Sequence, residues 1–184
     1  GRARAAGLAD RVRFVEDDYR NMRGACDAFV SVGMLEHVGP ENYRALGAVI
    51  ERCLAPEGFG LIHSIGRNQP EAMNGWIERR IFPGAQPPAL SEMAAIFEPC
   101  GFSVLDLENL RLHYAETLRH WRARYLAAFD QVQAARGSGF ARAWDLYLAG
   151  SIAAFTAGTM QLFQVLFARG RNNDLPATRS HLYS

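Results

Sequence analysis

An acid and an imidazole stand side by side at Glu36 and His37, within the stretch DAFVSVGMLEHVG from Asp27 to Gly39. Side chains of these types accept, hold or hand on protons when a fold keeps them in place. The residues ahead of them, Ala28, Phe29, Val30 and Val32, form an apolar run of the kind that predicts a strand buried on both faces. The run breaks at Gly33, so Glu36 and His37 fall just past the strand's carboxyl end, in a turn that leads to a helix from Glu41. In open α/β sheets that edge is where ligands bind. The plainer alternative makes both residues solvated turn residues, and the stretch alone leaves the two readings open. A second imidazole, His63, sits in the apolar run FGLIHSI (59–65), where a histidine by itself reads as a satisfied core residue. The step His113-Tyr114 by itself reads as the start of a helix with a packing tyrosine.

The elements that must position these groups follow from hydrophobic patterning. VRFV (12–15) predicts a short strand, followed by Asp17, Asp18 and Tyr19. Tyr43, Leu46, Val49, Ile50 and Leu54 recur at helical spacing and predict a helix over about 41–54. Pro56 and Gly58 end it. FGLIHSI then predicts a second apolar strand, closed by Gly66. The stretch from Arg67 to Leu90 carries prolines at 70, 83, 87 and 88 and is long for an ordinary connection, which favours a segment that covers substrate. Ser91 is the expected cap of a helix reaching Gly101, and FSVLDL (102–107) the next strand. Helices follow over about 115–135 and 140–158, separated by Arg136-Gly137-Ser138-Gly139. Leu162–Phe167 is the last strand, placed at an antiparallel edge, and the polar tail from Gly170 is expected to pack loosely. Strands and helices in alternation predict an α/β sheet with helices on both faces.

Composition narrows the function classes. The 184 residues are enough for one domain with a sizeable core. A net charge of +1 gives no overall basic excess of the sort that draws nucleic acid. Cys26, Cys53 and Cys100 are scattered and odd in number, without metal-type spacing, and fit free thiols in a reducing cytosol. No apolar run is long enough to span a bilayer, and the basic start GRARAAG lacks the apolar stretch of a signal peptide.

Five ordered blocks carry a family resemblance: VSVGMLEHVGPENY (30–43), LAPEGFGLIHSIG (54–66), IFPGAQPP (81–88), HYAETLRHW (113–121) and QLFQVLFARG (161–170). Together they resemble the cyclopropane-fatty-acyl-phospholipid synthase family, which includes the mycolic acid cyclopropane synthases. The resemblance implies the class I methyltransferase fold, a Rossmann-like sheet with strand order 3-2-1-4-5-7-6. On that map VRFV is strand three, DAFVSVG four, FGLIHSI five, FSVLDL six and QLFQVLF seven. The expectation is therefore a partial sheet lacking its first two strands, with a helical insert over about 113–158 before the last strand. The glycine-rich loop after strand one, which accommodates the cofactor, has no counterpart, and no G-x-G-x-x-G occurs. The chain is accordingly expected to be the C-terminal part of a single S-adenosylmethionine-dependent methyltransferase domain.

The chemistry implied by the resemblance is transfer of a methyl group from S-adenosylmethionine to a cis double bond of an unsaturated phospholipid acyl chain. The alkene is a poor nucleophile, so the site must align it with the sulfonium methyl and exclude water. Attack leaves a carbocation, and loss of a proton from the transferred methyl closes a cyclopropane ring. In the family a bound bicarbonate is the base. Carried over by motif, Glu36 would orient that anion, His63 and Tyr114 would donate hydrogen bonds, and Ile65 would offer its backbone N–H. The family's cysteine ligand has no counterpart, since Cys26 lies in the wrong block. Asp18 and Tyr19 match the position near the cofactor's adenine, with a plain surface turn as the alternative, and His37 is assigned to structure. Trp121, Tyr125, Phe129, Trp144, Tyr147 and Phe155 are read as core residues, a few of which could line an acyl tunnel. The implied setting is cytoplasmic, peripheral to the inner membrane, with phospholipid at the membrane surface as partner and a homodimer as an open arrangement. Two rivals stand beside this reading: methylation of another lipid or small acceptor, and a folded piece without catalysis.

Overall fold

The computed structural model describes residues 1–175, 178 and 179. Four strands form a single sheet in the order β1-β2-β4-β3: β1 is Cys26–Val32, β2 Leu54–Gly66, β3 Phe102–Asn109 and β4 Gln161–Arg169. β1 and β2 run parallel, and β4 is antiparallel to both β2 and β3. That arrangement is the expected 4-5-7-6 half of the sheet. The helices are α1 (Arg2–Ala5), α2 (Tyr43–Cys53), α3 (Gly75–Arg80), α4 (Leu90–Phe97), α5 (Arg111–Ala127), α6 (Phe129–Arg136) and α7 (Ser138–Ala157).

Several sequence expectations are corrected. VRFV forms no strand: residues 12–15 are irregular, with Phe14 85% and Val15 66% exposed. Strand β1 is not buried on both faces, because Val30 and Val32 are 63% and 66% exposed. The helix packed on that face, α5, lies against β4. β4 is an interior strand and β3 the antiparallel edge; eight aligned residue pairs bind β4 to β2. Ser91 does not cap α4. The helix starts at Leu90 with Ala89 as its N-cap, whose N–H donates to the Glu92 carboxylate at 2.8 Å. The helix expected over 115–135 begins at Arg111 and breaks at Ala128. Within the proline-bearing stretch 67–90 lies α3, capped by Asn74, whose side chain accepts from the Trp76 and Ile77 N–H groups. In the tail, Asn172 is buried and Arg179 pairs with Asp106 at 2.7 Å; residues 176, 177 and 180–184 lie outside the described ones.

Alternation along β2 divides the molecule into two packed faces. Ile62 points to the face where α2 and α4 supply Tyr43, Leu46, Ile50, Met93 and Ile96, with Val165 and Phe167 from β4. Gly47 lets those helices touch, since a side chain there would meet the Ile96 carbonyl oxygen. Ile65 points to the other face, where α5 and α7 enclose Ala115, Leu118, Leu148, Phe155 and Leu162. α5 and α7 are held together by the Arg122–Asp145 ion pair at 2.7 Å and by the Tyr125 hydroxyl, which donates to the Ala141 carbonyl at 2.8 Å. Arg111 reaches the carbonyl of Phe155 at 2.8 Å, placing a cation where the dipole of α7 ends.

Candidate functional site

Gly33 ends β1 with φ +66°, a left-handed conformation that glycine adopts without strain. The chain then turns through a 3-10 segment, Leu35–His37. That geometry buries Glu36 while its neighbour His37 stays exposed. One carboxylate oxygen, Oε1, accepts from the Ile65 backbone N–H at 2.6 Å. The other, Oε2, is buried without a donor. A buried acceptor in that state is costly unless something supplies a hydrogen bond. The Glu36 carbonyl is held as well, accepting from the Gln86 N–H at 2.6 Å. The carboxylate is thus tied to β2 and its own backbone to the 67–90 segment. The solvated-turn reading of Glu36 is therefore overturned.

Glu36 lies in the wall of a cavity of about 620 Å³ between the carboxyl ends of β1 and β2, the 67–90 segment and α7. Its lining is mainly apolar: Ile65, Ile77, Phe82, Tyr147, Phe155 and Met160 contribute. The long proline-bearing segment therefore does cover a cavity, as its length suggests.

The other expected site residues are placed as follows. Ile65 lines the cavity, but its N–H is engaged by Glu36 rather than turned to the space. His63 is on the same face of β2, two residues away, and its ring Nδ1 pairs with the Gln164 side chain at 3.0 Å. Tyr114 packs edge-on against Phe155 and Trp121, with centroids 4.9 and 6.0 Å away. Burial pushes its phenol up to about 12, and the charges of Tyr147 and Glu36 add to the shift. The phenol is thus neutral, a donor, over the whole physiological range, and neither Tyr114 nor His63 is among the residues that line the cavity. Asp18 caps the 3-10 turn Tyr19–Asn21 and pairs with Arg20 at 2.6 Å. Its hydrogen bonds to Arg20 hold the carboxyl down at about 2. Tyr19 packs against the α2–α4 core. Asp18 and Tyr19 take no part in lining the cavity. His37 meets Phe82 edge-on at 6.1 Å.

Among the late-helix aromatics, Tyr147 and Phe155 line the cavity, whereas Trp121 is 43% exposed. Sequence reasoning missed Arg67. It is buried on the cavity wall, with its guanidinium donating to the Ala72 carbonyl at 2.9 Å and to the Glu71 carboxylate at 3.4 Å. Its Nε has no partner. The signal was available: period-two alternation puts 63, 65 and 67 on one face.

Comparison with known proteins places these features in a family. The family described as mycolic acid cyclopropane synthetase matches residues 1–165. The cyclopropane-fatty-acyl-phospholipid synthase of Escherichia coli K12 is 38% identical over 169 residues, covering 91% of this chain and 44% of that protein. The tuberculostearic acid methyltransferase of Mycobacterium tuberculosis is 35% identical, covering 89% of this chain and 40% of its own length. The chain thus spans less than half the length of these two relatives. Among solved structures, the cyclopropane synthase MmaA2 of Mycobacterium tuberculosis superposes with a TM-score of 0.78 at 23% identity, over 91% of this chain and 66% of that one. The mycolic acid cyclopropane synthase CmaA1, complexed with SAH and CTAB, gives 0.75 at 26% identity, over 81% and 57%. The fold is that of class I S-adenosylmethionine-dependent methyltransferases, and this chain belongs to the mycolic acid cyclopropane synthetase family.

Proposed function

We propose that this chain supplies the acyl-chain cavity and the proton-handling groups of an enzyme that alkylates the cis double bond of an unsaturated phospholipid acyl chain and closes a cyclopropane ring. One observation carries the reading: a buried carboxylate with an unsatisfied oxygen, Glu36 Oε2, on the wall of a largely apolar cavity of about 620 Å³. An apolar chain fits such a space, and closure by the 67–90 segment keeps water from a cationic reacting centre. S-adenosylmethionine supplies the methyl group and bicarbonate the base. Glu36 Oε2 would accept the O–H of that anion, which fits an orphaned acceptor, and the neutral Tyr114 phenol would donate to it. The Ile65 N–H fixes the Glu36 carboxylate by Oε1 and so aims Oε2. Gly33, with open space where a Cβ would stand, admits a close approach at the carboxyl end of β1, the edge where class I folds receive a nucleotide-bearing ligand.

The test is Glu36→Gln, assayed with S-adenosylmethionine and vesicles of an unsaturated phospholipid, reading ring product by gas chromatography of the methyl esters. Loss of ring closure on the order of 10²–10⁴-fold is expected for removal of a proton-handling group. Unchanged ring formation would remove the role. A second reading draws on a specific observation: the Ile65 N–H and the His63 Nδ1 are already paired, with Glu36 and Gln164. That engagement leaves fewer groups for an anion and favours methyl transfer without ring closure. A methylene-branched alkene from the wild-type chain, formed when a hydride shifts between the two alkene carbons and the transferred methyl then loses its proton without closing the ring, would select it.

A further inference from the structure

Two polar residues face each other on the α5–α7 side of the sheet, in a patch otherwise apolar. Period-two alternation puts Leu61, His63 and Ile65 of β2 on that side, with Leu162, Gln164 and Leu166 of β4 beside them. His63 and Gln164 stand directly opposite in the antiparallel register, flanked by the pairs Leu61–Leu166 and Ile65–Leu162. A leucine at 164 would continue this patch without the cost of desolvating an amide. The amide is spent instead on the imidazole: Gln164 Nε2 lies 3.0 Å from His63 Nδ1.

An amide nitrogen donates and has no lone pair to offer. Nδ1 is therefore the acceptor of this pair, and the proton of the neutral ring sits on Nε2. The residue is held on its other flank as well, its carbonyl accepting from the Gly33 N–H at 3.0 Å. His63 lies two residues before Ile65, whose N–H holds the Glu36 carboxylate. Its Nε2, at the far end of the ring, has no hydrogen-bond partner among the described residues and is accessible.

We infer that Gln164 is a positioning residue for the anion site: it holds His63 in the tautomer whose free nitrogen, Nε2, carries a proton and presents it as a hydrogen-bond donor. The inference deepens the proposed role of bicarbonate and rests on it. An oxyanion accepts hydrogen bonds and is repelled by a lone pair, so the ring serves it in one tautomer and opposes it in the other. Glutamate at 164 would reverse the sign, because a carboxylate only accepts and would draw the proton to Nδ1. A cross-strand pair that merely stiffens the sheet would be indifferent to that choice. The assignment also narrows what His63 does. With Nδ1 engaged and Nε2 protonated, the ring has no lone pair free for proton abstraction, which leaves that step to the anion.

Long-range proton–nitrogen correlation spectra test the inference, using the full 184-residue chain labelled with heavy nitrogen at histidine. They are recorded without bicarbonate, above the titration range of an ordinary imidazole. The two ring nitrogens give different signals when protonated and when not, and His63→Asn identifies the His63 signals by their loss. The wild-type ring should carry its proton on Nε2. Gln164→Glu should put a proton on Nδ1, and Gln164→Leu should divide the ring between both tautomers; thermal melts establish that each variant is folded. A wild-type ring protonated on Nδ1 would overturn the assignment whatever the variants do. So would an Nε2–H pattern that survives both substitutions. Bicarbonate added to the same samples separates this inference from the reading beneath it. The Nε2 proton should shift on titration, with an affinity about tenfold lower in Gln164→Glu. An Nε2–H ring indifferent to bicarbonate would leave the positioning in place and remove the anion. A response to bicarbonate from a ring protonated on Nδ1 would keep the anion and remove Gln164 from its role.

Discussion

The two faces of the sheet use their apolar side chains to opposite ends. On the α2–α4 face, Leu35, Tyr43, Ile50, Ile62 and Phe167 have no exposed surface, and the Phe167 ring meets Phe97 and Phe102 at 5.0 and 5.2 Å. On the α5–α7 face, the same sheet carries a cavity, half-buried aromatics and polar groups. One side closes on itself and fixes where β1 and β2 end. The other leaves space and aims groups into it. The lesson is a division of labour: packing on one face supplies the rigidity that lets the other stay incomplete.

The largest expected effect is on the closed face. Phe167→Ala should cost about 3–5 kcal/mol of unfolding free energy by urea titration, because the ring packs among two aromatic neighbours and presses on the backbone at Gly60. A loss much below this would show that the face can collapse into the void, and would erase the contrast. Next comes Arg67→Ala on the open face. It removes the anchor at the Ala72 carbonyl and should cost about 1–3 kcal/mol, with amide exchange accelerating over 68–74; unaltered exchange there would mean that the segment is held by other contacts. Leu146→Ala, at 59% exposure, should fall within about 0.5 kcal/mol of wild type. An equal loss for Leu146→Ala and Phe167→Ala would mean that the faces are packed alike.

A pH experiment sharpens the comparison with the least perturbation. The Tyr114 phenol is raised from 10.0 to about 12, mainly by burial. Its folded value lies above the unfolded one, so its contribution to stability is complete below pH 10 and is lost as pH rises through 12. Ultraviolet titration of tyrosinate should show a late step near pH 12 that Tyr114→Phe removes. Tyr43, fully buried on the closed face, is pushed up as well, by burial first and then by Glu92, and its titration should remain in that variant. A Tyr114 step at the ordinary value would place the phenol in water and away from Glu36.

Much of the fold was legible in the sequence. The runs at 27–33, 59–65, 102–107 and 162–167 show their strands because apolar residues cluster between turn residues, although β2 begins earlier, at Leu54, where the end of a helix is expected. The resemblance supplied the strand order. VRFV shows the limit of patterning: its four residues favour a strand, yet Phe14 and Val15 meet solvent, because a strand needs a partner as well as a propensity. The turn at Gly33 and the position of Glu36 were equally readable. Arg67 was not singled out, although the alternation that placed Ile65 on the cavity side placed it there too.

By itself the sequence determined where four of the strands and most of the long helices fall, and that Glu36 lies at the carboxyl end of a strand. Those properties depend on residues near one another in the chain. Only the tertiary structure decided that Oε1 of Glu36 would spend itself on the Ile65 N–H while Oε2 stayed unpaired. It alone decided that His63 would turn to Gln164, 101 residues away, and that Tyr147 and Phe155, not Trp121, would face the cavity. Each of these outcomes depends on the distance and direction between segments far apart in sequence, which local patterning does not encode.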